Sequence, residues 1–179
     1  GLAPALLTFD RSPREFVTGT PVPLLTTIRE RSRAARELFP GMEVIAAPFD
    51  RAMMTMPWED FVVMLAETYR ARWLVAGHDF RFGHKNSGTA ALLREKAAAL
   101  GMGCDIIPAV QLEGVTVSST HIRALLERGA AEEAARFLGR PFAISGLVRH
   151  GKRLGSSRLG APTVNLIPDP RQLVPAFGV

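Results

Sequence analysis

The sequence predicts an α/β fold followed by the start of a β-rich unit, and two observations carry that prediction. Between Ala5 and Leu138, short aliphatic runs alternate with helix-length stretches, the order expected of a layered fold with a parallel sheet. At Gly139-Arg140-Pro141 the pattern changes, and glycine- and proline-rich sequence with strand character follows. The change divides the chain into residues 1–141 and 142–179. The second portion is too short for a β-barrel with a core of its own.

Each element has a local reason. Ala5-Leu-Leu-Thr-Phe9 reads as a buried strand that ends in a polar loop containing Asp10 and Pro13. Residues 27–38 read as a helix closed by Pro40-Gly41. Val44-Ile-Ala-Ala47 is a short strand. Pro57 opens a helix running to Arg70, because its fixed φ suits a first turn. Trp73-Leu-Val-Ala76 is a strand broken by Gly77, and residues 90–100 form an alanine-rich helix stopped by Gly101. Asp105-Ile-Ile107 is a strand. Val115-Thr-Val117 is expected to be a parallel strand feeding a helix over 122–128, and a second helix over 131–138 follows Gly129. Residues 142–148 have strand character.

Composition narrows the function. Hydrophobic content of 47% with 22% charged residues describes a globular chain. No apolar run approaches the roughly 18–20 residues of a membrane span. No signal peptide is recognisable, and the single Cys104 excludes an internal disulfide and a cysteine-rich zinc site. A cytoplasmic protein is the expectation. The net charge is +5, and 19 of the 22 basic residues are arginines, a side chain suited to paired phosphate contacts, although genome-wide codon bias gives the same skew and is the larger cause. They are scattered, without a dense basic run or interleaved aromatics, which argues against a nucleic-acid partner. Small anionic molecules are the expected ligands, with neither nucleic acid nor membrane as partner.

Three segments concentrate chemistry. Residues 118–123 read Ser-Ser-Thr-His-Ile-Arg. A helix N-terminus directs unbonded backbone N–H groups outward, and Ser118, Ser119 and Thr120 add hydroxyls. Arg123 follows Thr120 and Ser119 at helical spacing and so shares their face. The segment suits either a helix cap or a phosphate site. The second segment, Gly77-His-Asp-Phe-Arg-Phe-Gly83, lies beyond a strand end, where open α/β sheets bind ligands. Asp79 offers a carboxylate acceptor, while Phe80 and Phe82 are suited either to a planar ring or to the core. Arg81 and Lys85 offer cations; His78 and His84 lack carboxylate or cysteine partners and read as solvated loop histidines. The third segment, residues 146–165, lacks the Gly-Lys-Ser/Thr ending of a Walker loop. Its Thr163 and Asn165 share one face of an extended strand and carry hard oxygen donors suited to Mg²⁺ held jointly with phosphates. A glycine-rich hairpin with an edge strand explains the same residues.

Together, in this order, these segments resemble the bifunctional prokaryotic FAD synthetases, which join riboflavin kinase and FMN adenylyltransferase. The resemblance spans essentially the whole chain. It rests on Leu7-Thr-Phe-Asp10 with Pro13-Arg14-Glu15, on 77–83, on 118–123, on Leu138-Gly-Arg-Pro141 and on Leu159-Gly-Ala-Pro-Thr-Val-Asn165. It implies a Rossmann-like nucleotidyltransferase domain over 1–141, followed by the start of an all-β riboflavin kinase barrel over 142–179. The implied reactions convert riboflavin and ATP to FMN, then FMN and ATP to FAD. By the same resemblance, Ser118, Ser119, Thr120 and Arg123 hold the ATP phosphates, with Arg123 catalytic. Asp79, Phe80 and Phe82 belong to the flavin segment. Gly151, Lys152 and Gly160 meet the kinase nucleotide, and Thr163 and Asn165 its Mg²⁺.

The family's His-x-Gly-His first strand is not found, and neither is the rest of the kinase barrel. The resemblance therefore implies a protein incomplete at both ends and inactive as an isolated piece. Arg11 and Ser12 stand where Pro and His are usual, and Ala161 where an aromatic is usual. Two other readings remain: a nucleotidyltransferase acting on nicotinamide mononucleotide or phosphopantetheine, which would lack Pro-Thr-x-Asn, and a non-catalytic flavin- or nucleotide-binding module.

Overall fold

A computed structural model describes residues 1–149 and 165–176. The described residues form a mixed α/β structure. In chain order its elements are β1 (Ala5–Phe9), α1 (Pro13–Thr18), α2 (Ile28–Leu38), β2 (Glu43–Ala47), α3 (Arg51–Thr55), α4 (Trp58–Glu67) and β3 (Trp73–Gly77). Next come β4 (Arg81–Phe82), β5 (Gly88–Thr89), α5 (Ala90–Ala99), β6 (Gly103–Ile107), β7 (Gln111–Leu112) and β8 (Val115–Thr116). Last are α6 (Ser119–Glu127), α7 (Ala131–Leu138), β9 (Gly146–Arg149) and β10 (Asn165–Pro168). They fall into two compact units: Gly1–Thr20 with Leu38–Thr116, and Pro21–Glu37 with Val117–Val179.

The first unit is built on two parallel ribbons, β1 with β2 and β3 with β6. Their inward residues, Leu7 and Phe9 from β1, Leu74 and Ala76 from β3 and Ile106 from β6, pack on one apolar cluster. That cluster is centred on Phe61, Val62 and Leu65 of α4, Leu93 and Ala97 of α5, and Phe82 of β4. Full burial of such side chains contributes about 1.5–3 kcal/mol each, so this cluster dominates the unit. Helix α4 ends at Glu67 rather than Arg70, which has left-handed φ.

Two local expectations are corrected. The polar loop after β1 contains helix α1, capped by Ser12, whose Oγ accepts from the Glu15 backbone N–H, with Pro13 at the first position. The expected parallel strand at 115–117 is instead the second arm of a hairpin: β8 pairs antiparallel with β7. Glu113 and Gly114 both have positive φ, the backbone of a two-residue turn that folds a strand straight back.

The second unit has its own cluster: Ile122, Leu125 and Leu126 of α6, Ala134 of α7, and Leu173. The helix start moves from Ile122 back to Ser119, because Ser118 supplies the cap. The strand expected over 142–148 is β9, which begins only at Gly146 and pairs antiparallel with β10. Gly151, Lys152, Gly160 and Thr163 lie outside the described residues.

Candidate functional site

In the second unit, the chemistry of residues 118–123 is set by how α6 begins. Ser118 is extended, and its Oγ accepts from the His121 N–H at 3.2 Å. The first intrahelical bond runs from Ile122 N–H to the Ser118 carbonyl. The N–H groups of Ser119 and Thr120 precede it and have no acceptor within the helix. The side chains of Ser119 and Thr120 are exposed, and Arg123 is half-buried one turn on. The Arg123 Nε donates to the Pro23 carbonyl at 3.2 Å. That bond fixes the guanidinium plane. The terminus thus gathers amide donors, hydroxyls and an oriented guanidinium, the donor set for a phosphate. The cap does not use up this donor set: Ser118 caps, and Ser119 and Thr120 beside it are exposed. His121, which the sequence reading passed over, places its ring edge-on to Phe137 at 4.5 Å, and its buried Nε2 has no hydrogen-bond partner.

In the first unit, residues 77–83 form a tightly anchored loop. His78 N–H continues the ladder to the Ile107 carbonyl, and Phe80 N–H closes a turn on the Gly77 carbonyl. Asp79, Arg81 and Lys85 are exposed, as are His78 and His84. Phe80 is half-buried and stacks on Phe82, with centroids 5.2 Å apart and planes 18° apart. Phe82 takes the core setting of the two that the sequence left open. It is 6% exposed and packs against Trp58 and Phe61 in the core. The alternation of β4 turns Arg81 outward and Phe82 inward, where the Phe82 ring supports Phe80. Gly83 closes the loop with φ +73°, and a Cβ there would meet the Trp58 backbone at 2.6 Å. Near the end of β1, Asp10 accepts from the Phe49 N–H at 3.0 Å and pairs with Arg11.

Asn165 is exposed at the start of β10, paired with Arg149 of β9. Among the described residues no cluster of three or more His, Cys, Asp or Glu side chains offers a metal cage. A lone carboxamide oxygen fits an ion that arrives with its phosphates and keeps its waters. No helix among the described residues is long and apolar enough to cross a membrane.

Residues 1–121 match the family model described as FAD synthetase. The chain belongs to the FAD synthetase family. A second family model, riboflavin kinase, matches residues 138–179 of this FAD synthetase-family chain. The bifunctional riboflavin kinase/FMN adenylyltransferase of Escherichia coli strain K12 is 34% identical over 97% of the chain and 55% of that protein. The protein of the same description from Pseudomonas fluorescens is 32% identical over 100% of the chain and 57% of that protein. The chain thus spans about half the length of the curated relatives it matches. A crystal structure described as a macrolide-efflux protein from Streptococcus pneumoniae superposes with a TM-score of 0.81 at 28% identity, covering 97% of this chain and 56% of that one.

Proposed function

We propose that this chain takes part in FAD biosynthesis, adenylylating FMN with ATP through its FAD synthetase portion and phosphorylating riboflavin through its riboflavin kinase portion. The observation that carries the adenylyl-transfer reading is the start of α6, where Ser119, Thr120 and the Pro23-anchored Arg123 share one helix end. Phosphoryl and nucleotidyl transfer are catalysed mainly by positioning and charge stabilisation. Ser118 holds the helix start, the Ser119 and Thr120 donors grip the ATP phosphates, and Arg123 stabilises charge developing on the leaving pyrophosphate. The phosphate oxygen of FMN attacks the α-phosphorus of ATP, and the bond to the β-phosphate oxygen breaks. Asp79 and Phe80 belong to the flavin segment, with Phe82 beneath. In the kinase portion, Asn165 with Thr163 meets the Mg²⁺ that accompanies ATP, and Gly151, Lys152 and Gly160 meet the nucleotide.

The finer architecture belongs to the same proposal. Ribbons β1–β2 and β3–β6 pack on one cluster, and each is two-stranded among the described residues. They read as the flanks of one Rossmann-like parallel sheet with a strand between β1 and β3. The β9–β10 ribbon, with Leu147 and Val148 exposed, reads as the beginning of a β-barrel.

The test is a pair of substitutions in the full gene product. Arg123→Ala should lower FAD formation from FMN by about 100-fold or more, the scale for removing one charge-stabilising donor, while FMN formation from riboflavin persists. Asn165→Ala should do the reverse. Equal loss of both activities in Arg123→Ala would sink the assignment of 118–123 to adenylyl transfer. Unchanged kinase activity in Asn165→Ala would remove its metal role.

A further inference from the structure

Among the described residues, two polar or charged residues are buried, Glu30 at 6% and Gln172 at 4% exposure, and they bond to each other. The Gln172 Nε2 donates to both Glu30 carboxylate oxygens at 2.9 Å and to the Ala143 carbonyl at 3.0 Å. Its Oε1 accepts from the Ser145 N–H. Glu30 also closes a capping box at the start of α2: its Oε2 accepts from the Thr27 N–H at 2.8 Å, and Thr27 Oγ1 accepts from the Glu30 N–H. A buried carboxylate bonded to an amide has few tolerable alternatives, since removing either partner leaves the other unsatisfied.

The same segment holds Arg123. Residues 21–30 form a strap with three tethers. The Pro23 carbonyl accepts from Arg123 Nε. Leu24 makes a parallel bridge with Gln172, its N–H donating to the Arg171 carbonyl and its carbonyl accepting from Leu173 N–H. Glu30 then takes the Gln172 amide. The Pro23 carbonyl and the Leu24 N–H belong to one peptide unit, so the bond that orients Arg123 and the first bond of the bridge share it. Glu30 lies in the FAD synthetase match, whereas Gln172, Ser145 and Ala143 lie in the riboflavin kinase match. Gln172 also ends the stretch that begins at Asn165, across a turn closed by its N–H on the Asp169 carbonyl.

We propose that Glu30 and Gln172 are positioning residues for adenylyl transfer: by pinning the 21–30 strap they hold the Pro23 carbonyl that aims the Arg123 guanidinium. A side chain in the kinase-matched region thus sets phosphate grip at α6. This rests on the phosphate-binding reading of Arg123.

The experiment uses the full gene product with Gln172→Ala, Glu30→Gln and the exchange variant Glu30→Gln/Gln172→Glu. In the exchange, the carboxamide at position 30 donates to the carboxylate at position 172. Each single variant should raise KM for ATP in FAD formation about fivefold, within the range by which indirect contacts modulate a site, with KM for riboflavin unchanged. The exchange should return KM for ATP part of the way to that of the unmutated protein, because it restores the directly coupled 30–172 bond but removes the donor to the Ala143 carbonyl. Nitrogen-15 NMR of Arg123 should show faster Nε–H exchange in both single variants and recovery in the exchange, a change a merely structural role would not produce. Single variants that keep both KM for ATP and the Nε–H exchange rate of the unmutated protein overturn the proposal. So does an exchange variant no better than either single one. If the single variants do not fold, the exchange variant decides by the same two readouts. An unmutated protein that makes no FAD from FMN and ATP sinks the functional reading instead, and the Nε–H measurement still reports the tether.

Discussion

Gly83 shows how a single residue can fix a loop. Its φ of +73° is strained for any residue with a side chain, and the Trp58 backbone occupies the place of a Cβ. Gly83→Ala should therefore destabilise the protein by about 2–3 kcal/mol, read as a lower urea midpoint. A midpoint unchanged within error would show that the 77–83 loop can shift away from α4. Glu30 gives a second prediction at this scale. Burial pushes its carboxyl up, but hydrogen bonds from the Thr27 backbone, Ser145, Gln172 and the Thr27 hydroxyl outweigh burial and hold it below the usual carboxylate range. A depressed folded-state value means that the ionised carboxylate favours the folded state. That stability is present above about pH 4.5, the ordinary value for the group, and is lost as pH falls through the lower folded value. Glu30→Gln should thus be less stable than the unmutated protein at pH 7, with a smaller difference at pH 3. Denaturant midpoints at both values check this, and an equal gap at both would remove the assigned role of the charge.

Among elements, α6 is the one on which both packing and chemistry depend. Ser118 caps it, and Ile122, Leu125 and Leu126 form the buried stripe. Leu126 is fully buried against the cluster containing Ala134 and Leu173. Leu126→Ala should cost about 2–5 kcal/mol, measured by thermal or urea unfolding, and a loss below 1 kcal/mol would show that the site collapses. Its cap was legible as Ser-Ser-Thr before an apolar run. The hairpin just before it was not, because a Glu-Gly turn lacks the Asn or Asp that signals a two-residue reversal. Helix α1 was hidden for a related reason: Ser12-Pro13 fits both a loop and a capped helix start, and only the Ser12 Oγ bond to the Glu15 N–H decides between them.

At the scale of the whole molecule, the two parallel ribbons of the first unit make the clearest prediction. If a strand lies between β1 and β3 in the gene product, the β1 and β3 amides that do not bond β2 or β6 will be protected from hydrogen exchange. Exchange of those amides at loop-like rates would sink the continuous-sheet proposal. The sequence by itself determined the alternation of strands and helices, the presence of a helix just after Ser118 and the family. These follow from periodicity, caps and motifs, which are local and written in neighbouring residues. It could not place Phe82, because an aromatic beside a glycine suits a ligand face or a core equally. Only the α4 and α5 side chains packed around it decide. Nor did it reveal that Glu30 meets Gln172 or that Pro23 holds Arg123, although the Thr27–Glu30 capping box was there to be read. Those bonds join residues 142 and 100 positions apart. No local pattern encodes such contacts; tertiary packing alone brings the partners together and, by excluding water, makes their loss costly.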